Sequence, residues 1–212
     1  MSKVAVFDTR PEQAVRAESP LAITRLADRV ASNASAEAGV TLREKAFLGH
    51  LILRGGAIAL DEAVREVLGI SLPAKPSALA HDESGERSIQ WLSPDEWLVI
   101  VPGGEEFELE NRLREQMGDA HFAIVNVGGG QTVIELSGPY AREVLMKSAI
   151  YDVHPSHFPV GKGVTTVFAK ATAIIRRPSE DRWELVVRRS FADYCGRWII
   201  DASEEYGLNV LD

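Results

Sequence analysis

The chain has 212 residues, a net charge of −8 and a hydrophobic fraction of 45%, which is typical of a globular protein with one large or two small domains. With 17 glycines and 10 prolines, it is neither collagen-like nor a Pro/Gly-rich disordered chain. Its acidity disfavours nucleic-acid and membrane partners, and a single cysteine without an apolar leader in residues 1–10 predicts a cytoplasmic protein without internal disulfides.

Residues 1–40 form the first predicted unit, an N-terminal arm. Phe7 is the only aromatic residue in this stretch, which cannot bury much apolar surface. We therefore expect the arm to be partly mobile or a surface helix, or alternatively to become ordered on a partner. Residues 41–212 form the folded region, which the sequence allows to divide into two lobes, 41–120 and 121–212.

The elements predicted before residue 120 are a strand, a helix, a hairpin and a second helix. Gly55 and Gly56 stop the strand, Asp61 is expected to cap the first helix, and Gly69 ends it. Residues 71–80 contain two prolines and form a connector. The hairpin turns at Ser93-Pro94-Asp95-Glu96. The predicted bounds are 46–54, 61–69, 89–92 with 97–101, and 104–117.

The second half continues with strands and two further helices. Gly128-Gly129-Gly130 is predicted to be a tight hairpin rather than a phosphate loop, because a strand follows it instead of a helix. Ser137 is the expected N-cap of the next helix, and Ser190 to Asp193 is the expected capping box of the last one. Cys195 lies on the apolar stripe of that last helix and is interpreted as core. The predicted strands are 122–127, 131–136, 163–170, 172–177 and 183–188.

This order of elements predicts the fold class. Neighbouring strands joined by short turns pair antiparallel, and helices spaced between them cover one face of a sheet. We therefore predict an α+β fold with antiparallel sheets and helices packed on one face.

A search for chemistry predicts no catalytic, cofactor-binding or metal-binding residue in this chain. His154 and His157 form the only close histidine pair, with Asp152 nearby, which is weak support for zinc. No pair of carboxylates is placed by its spacing as an acid and base couple.

Five residues are candidates for a partner interface: Asp95, Glu96, Trp97, Arg188 and Arg189. Trp97 stands beside a turn and is either an interface anchor or a core strand residue. The two arginines are either solvated strand ends or groups that meet an acidic partner.

Six short segments occur together in an order that is specific, and they cover about residues 45–207. They are 50–55, 67–73, 92–98, 136–142, 151–155 and 187–194. The set resembles the gamma subunit family of heterotetrameric sarcosine oxidases. Among the segments, Val187 to Tyr194, with the sequence VRRSFADY, carries the resemblance most strongly.

The resemblance implies a non-catalytic subunit with a fold similar to part of the aminomethyltransferases of the glycine-cleavage T-protein type. The holoenzyme of the family oxidatively demethylates sarcosine to glycine, forms hydrogen peroxide and passes the one-carbon unit to tetrahydrofolate. FAD, FMN, NAD, zinc and tetrahydrofolate are then implied on other subunits, and the alpha, beta and delta subunits are the implied partners.

Two departures from related enzymes fit this interpretation. Aminomethyltransferases carry an acidic pair where this chain has Lys170 to Arg176, which contains no carboxylate. Lys162-Gly163-Val164 lacks the cysteine of the Lys-Gly-Cys-Tyr motif found in the folate proteins linked to tRNA modification.

Two other functions stay open from the sequence. One is a stand-alone folate-binding protein or aminomethyltransferase-like enzyme, in which Glu135 or Asp152 supplies the acid after folding. The other is a metal-binding regulator that uses His154 and His157.

Overall fold

A computed structural model describes residues 17–23, 25 and 38–211. Most of the predicted N-terminal arm therefore lies outside the described residues. The part that is described contains the one-turn helix α1, Pro20–Ile23. The other helices are α2 (Ala57–Leu68), α3 (Glu105–Met117), α4 (Ala141–Ser148) and α5 (Ala192–Ala202).

The described residues form two sheets. The six-stranded sheet has the order β11-β1-β7-β10-β9-β8, and the five-stranded sheet has the order β3-β4-β5-β2-β6. The strands are β1 (Val40–Lys45), β2 (Gly49–Gly55), β3 (Leu79–His81), β4 (Ser88–Ser93), β5 (Glu96–Val101), β6 (Phe122–Asn126), β7 (Gln131–Ser137), β8 (Lys162–Phe168), β9 (Ala171–Ser179), β10 (Arg182–Arg188) and β11 (Leu208–Leu211).

The pairing confirms an α+β fold with antiparallel sheets. Only the pair of β1 with β11 is parallel among the described strand pairs. The sheets do not coincide with the suggested lobes 41–120 and 121–212. The first strand, β1, joins the six-stranded sheet, and β6, which follows residue 120, joins the five-stranded sheet.

The two sheets pack face to face, and helices cover each outer face. Alternate strand residues pack with α4 and α5 in one core and with α2 and α3 in the other. A smaller apolar cluster joins the sheets; its buried members are Leu98, Ile100, Val133 and Val186. The result is a helix–sheet–sheet–helix arrangement with an inner layer between the sheets.

The predicted hairpin at Gly128-Gly129-Gly130 is wrong. The strand before it, β6, pairs with β2, whereas the strand after it, β7, pairs with β1 and β10. The three glycines form a 3-10 turn that carries the chain from one sheet to the other. Adjacent strands with a short link predict local pairing, but here each strand pairs with strands that lie farther away in the chain.

The predicted N-caps are also wrong. Asp61 lies inside α2, which begins after Gly56, and its carboxylate accepts hydrogen bonds from the Arg65 side chain and the backbone of Leu72. Ser137 ends β7 instead of starting α4. Ser190 lies in the 3-10 turn Arg189–Phe191 before α5, and Phe191 is the N-cap.

Other boundaries agree with the sequence. The β4–β5 hairpin, α3 and β8 to β10 lie close to their predicted bounds, and Gly69 caps α2 in the left-handed conformation, with φ 70. The predicted strand 46–54 begins later, at Gly49, because residues 46–48 carry the chain from β1 to β2.

The described part of the N-terminal arm is tied to the six-stranded sheet. The Glu44 carboxylate accepts hydrogen bonds from the Ser19 hydroxyl and from the Leu21 backbone N–H, the latter at 3.1 Å. The Leu21 side chain is buried in the core beside α4 and α5. The Arg189 guanidinium donates to the Glu18 carbonyl at 3.0 Å. This short segment is therefore packed against the fold.

Backbone hydrogen bonds link the two sheets along one edge, where Gly163 of β8 is central. Its N–H donates to the Ser77 carbonyl at 2.8 Å. Its own carbonyl accepts from the Gln90 side chain at 3.0 Å. The Gln90 carboxamide lies so close that a Cβ added to Gly163 would be 1.9 Å from Gln90 Oε1.

Replacing Gly163 with alanine is expected to lower the free energy of unfolding by about 1–3 kcal/mol. The new methyl group would displace the buried Gln90 amide from its hydrogen bonds. Chemical denaturation measures the change, and Gly129→Ala is the control because a Cβ there would meet nothing within 4 Å. Equal destabilisation by the two substitutions would contradict this packing.

Candidate functional site

The layer between the sheets holds the buried ion pair of Glu184 and Arg176. Four charged residues stand in register across the inner face of the six-stranded sheet, on β1, β7, β10 and β9. They are, in order, Arg43, Glu135, Glu184 and Arg176. Residues of neighbouring strands in register face the same side of a sheet, so these side chains all face the five-stranded sheet or its edge.

Glu184 is the centre of this layer. The Arg176 guanidinium donates to Glu184 Oε2 from Nε at 2.9 Å and from Nη2 at 2.6 Å. The Lys45 ammonium donates to the other carboxylate oxygen at 2.9 Å. Burial by itself would raise the pKa of Glu184, but Arg176 and Lys45 outweigh it and lower the pKa to about 2.

His50 of β2 enters the same layer from the five-stranded sheet. Its side chain is fully buried, and Nδ1 lies 3.0 Å from the Leu48 carbonyl, to which it donates a hydrogen bond. Its Nε2 has no partner among the described residues. Burial lowers the pKa of His50 to about 4, and the positive charge of Arg176 acts in the same direction.

These pKa values decide what the layer can do at neutral pH. Glu184 stays ionised and His50 stays neutral, so neither exchanges a proton near pH 7. The ionised carboxylate is already occupied by two cations of the same chain. The geometry therefore describes a group of charges that joins β1, β9 and β10 within the six-stranded sheet.

The histidine pair that the sequence left open as a metal-binding alternative lies on an exposed loop. His157 Nδ1 contacts the Asp152 carboxylate at 2.7 Å, whereas His154 Nδ1 contacts the Ser156 hydroxyl at 2.7 Å. The two rings thus have different partners. Within residues 17–23, 25 and 38–211, no three His, Cys, Asp or Glu side chains are grouped as metal ligands.

The remaining reactive candidates lie apart. The Cys195 thiol is buried on α5, as predicted, and burial raises its pKa to about 11. Glu135 lies in the inner layer and Asp152 on the exposed loop. No element brings these two carboxylates to one position.

A surface groove of about 440 Å³ lies beside α4 and the β9–β10 turn. Arg177 is its most buried charged residue, and its guanidinium donates to the Phe158 carbonyl at 2.8 Å and to the Glu180 carbonyl at 3.0 Å. It also lies over the Trp183 ring, 5.2 Å from the centroid. Arg177 thus ties a loop to the sheet.

The predicted interface residues lie in two separate places. Asp95 pairs with Arg54 at 3.3 Å, and both side chains are more than half exposed. Glu96 is half-buried at the start of β5. The Trp97 ring is only 1% exposed, and its indole N–H donates to the Pro73 carbonyl at 2.9 Å. This burial favours the core interpretation of Trp97.

Arg188 and Arg189 lie at the opposite end of β2 from Asp95. Arg189 begins a 3-10 turn that packs against the turn Gly128–Gly130. That glycine turn follows Val127, whose N–H donates to His50 at the start of β2, whereas Asp95 pairs with Arg54 near the end of β2. Four residues of extended strand, about 13 Å, separate these two positions. The structure therefore does not bring the predicted residues together.

Sequence reasoning missed the groups that carry the inner layer: Lys45, His50, Gln90, Arg176 and Glu184. A usable signal was present, because Glu184 interrupts an otherwise apolar run in β10. A charge in a central strand requires a partner when it is buried. Which residues supply that partner depends on the pairing of the strands and the packing of the sheets.

Comparisons with known proteins give matches that cover most of the chain. The family model described as sarcosine oxidase, gamma subunit family, matches residues 54–205. Sarcosine oxidase subunit gamma from Corynebacterium sp. (strain P-1) is 36% identical over 186 residues, which cover 85% of this chain and 88% of the relative. The subunit from Arthrobacter sp. is 33% identical over 182 residues, with coverage of 85% and 88%.

Solved structures give a similar result. A chain in the heterotetrameric sarcosine oxidase from Corynebacterium sp. U-96 matches with a TM-score of 0.80 and 31% identity, covering 92% of this chain and 99% of that one. Glycine cleavage system aminomethyltransferase T from Bartonella henselae matches with a TM-score of 0.61 and 14% identity, covering 88% of this chain and 50% of that one. The second match shows a shared fold. Among the described residues, no helix is long and apolar enough to cross a membrane.

Proposed function

The chain belongs to the sarcosine oxidase gamma subunit family, as its sequence indicated, and we propose that it is a non-catalytic structural subunit of a heterotetrameric sarcosine oxidase. In this proposal the whole enzyme demethylates sarcosine oxidatively to glycine, forms hydrogen peroxide and passes the one-carbon unit to tetrahydrofolate. The alpha, beta and delta subunits are the partners, and FAD, FMN, NAD, zinc and the folate site lie on those subunits.

The match to the oxidase chain over 99% of its length is the observation that carries the proposal. A chain that matches nearly the full length of a subunit can present the corresponding surfaces to neighbouring subunits. The proposal also includes a cytoplasmic location, because a single free cysteine fits a reducing compartment.

The chemistry of the described residues supports the non-catalytic part of the proposal. The buried acid Glu184 is neutralised inside the chain, and His50 is held in its neutral form. The segment Lys170 to Arg176 contains no carboxylate, and Lys170 lies in the turn between β8 and β9. Without a carboxylate, this segment cannot orient a folate amine through a charge-assisted hydrogen bond.

Co-expression with the alpha, beta and delta subunits tests the assembly. With an affinity tag on another subunit, this chain is expected to co-elute from the affinity and size-exclusion columns. Elution of this chain by itself, while the other three co-elute, would overturn the proposal. Calorimetry of the isolated chain with tetrahydrofolate tests the alternative, a stand-alone folate protein, and the proposal expects no heat of binding.

A further inference from the structure

Both links between the sheets lie at the same end of the molecule. Residues 46–48 connect β1 to β2, and residues 128–130 lie on the path from β6 to β7. The two links are neighbours, because a Cβ on Gly128 would lie 3.7 Å from the Leu48 carbonyl. The turn 189–191 packs against the turn 128–130. We call the surface formed by residues 46–48, 128–130 and 188–191 the crossover end.

Phe47 is held in an unfavourable backbone conformation at the crossover end. Its φ is 60, a left-handed value that is a genuine outlier for a bulky residue. The backbone of Gly103 packs against it, so closely that a Cβ on Gly103 would lie 2.0 Å from the Phe47 carbonyl. Yet the Phe47 side chain is 57% exposed. The fold therefore strains the backbone without burying the aromatic ring in this chain.

A second exposed aromatic residue and a free cation accompany Phe47. Phe191 is 42% exposed, although it directly precedes the apolar face of α5. Arg188 is exposed, and it has no hydrogen-bond or ion-pair partner among the residues that the structure describes. Within the described part of the chain, the Arg189 guanidinium has one hydrogen-bond partner, the Glu18 carbonyl. Aromatic residues and arginines together are typical of the energetic centre of a protein interface.

We propose that the crossover end is the surface that docks onto another subunit of the oxidase, an inference that rests on the proposed function. Phe47 and Phe191 insert into an apolar pocket of that subunit, and Arg188 and Arg189 face carboxylates at its rim. Charge complementarity calls for an occupant with surface carboxylates, because Arg188 is exposed and has no ion-pair partner among the described residues.

Other exposed features fit a docking surface less well. Met146 and Ile150 are 62% and 81% exposed near the end of α4, but their backbone has no positive φ. The edge strand β6 is blocked against strand addition, because Arg114 Nη2 donates to the Ile124 carbonyl at 2.7 Å.

The test co-expresses the four subunits and introduces substitutions into this chain only. Phe47→Asn is the main variant, because asparagine accepts a positive φ and removes the aromatic ring. It is expected to keep or raise the melting temperature of the isolated chain and to weaken its binding to the other subunits by about tenfold or more. Arg188→Glu is expected to slow association, with an effect that shrinks at high salt.

Met146→Ser with Ile150→Ser is the matched control, since it removes a similarly exposed apolar pair away from the crossover end. It should leave binding unchanged. If the wild-type chain assembles and the Phe47→Asn and Arg188→Glu variants bind the other subunits normally, this inference is overturned. The proposed function is then unaffected. If the wild-type chain itself fails to assemble, the proposed function fails instead. If the isolated chain forms dimers and Phe47→Asn abolishes them, the occupant of the crossover end is a second copy of this chain. That result would also overturn the inference.

Discussion

Replacing Glu184 with glutamine is expected to lower the free energy of unfolding by about 3–5 kcal/mol. The carboxylate is the shared partner of Arg176 and Lys45, and the side chains of Glu184 and Arg176 are each only 3% exposed. A neutral amide leaves the guanidinium buried without a counter-charge. Removing one member of a buried ion pair lowers the free energy of unfolding more than replacing both members with apolar side chains, because the remaining charge stays desolvated.

Urea denaturation of the isolated chain measures the change. Glu180→Gln is the control, because that side chain is exposed on the turn before β10, and its expected effect is within about 0.5 kcal/mol. A double variant, Arg176→Met with Glu184→Leu, should recover much of the loss, since apolar side chains of similar size can replace a buried ion pair. A stable Glu184→Gln variant would contradict the assigned geometry.

Lowering the pH from 7 to 4 is expected to reduce the free energy of unfolding by about 3 kcal/mol through His50 alone. The folded pKa of His50 is about 4, below its ordinary value of 6.5. Between these two values the unfolded chain binds a proton at this residue and the folded chain does not. The stability is therefore fully present above pH 6.5 and is lost as the pH falls toward 4.

Unfolding measured across this pH range, with His50→Asn as the variant, isolates the effect. Asparagine retains a donor for the Leu48 carbonyl and does not titrate. The variant should lose much of the slope between pH 6.5 and 4, whereas His121→Asn, on an exposed residue, should keep it. Glu184 acts at lower pH, between 4.5 and about 2. Identical slopes for wild type and His50→Asn would contradict the burial of this ring.

The local elements could be predicted because their signals lie within a few residues. The apolar runs on either side of the turn 93–96 predict the β4–β5 hairpin, and the helical spacing of the α5 stripe reflects one buried face. Strand partners could not be predicted in this way. The sequence predicts a hairpin at the glycine turn 128–130, yet this turn joins strands of different sheets. Its partners lie far away in the chain, at β2 and β10.

The charged groups of the inner layer could not be predicted from the sequence for the same reason. Lys45 and Glu184 are far apart in sequence and meet only because β1 and β10 flank β7. Trp97 shows the opposite case, since its position beside a turn allowed both an interface and a core role, and burial favours the core. The family was recognised because short ordered segments survive along the chain, and the family comparison confirms it.

Native mass spectrometry of the complex purified after co-expression of all four subunits shows whether this chain is an assembled subunit. We expect a single species that contains one copy of this chain with one copy each of the alpha, beta and delta subunits. A species that contains only the other three chains, with this chain present separately, would contradict it.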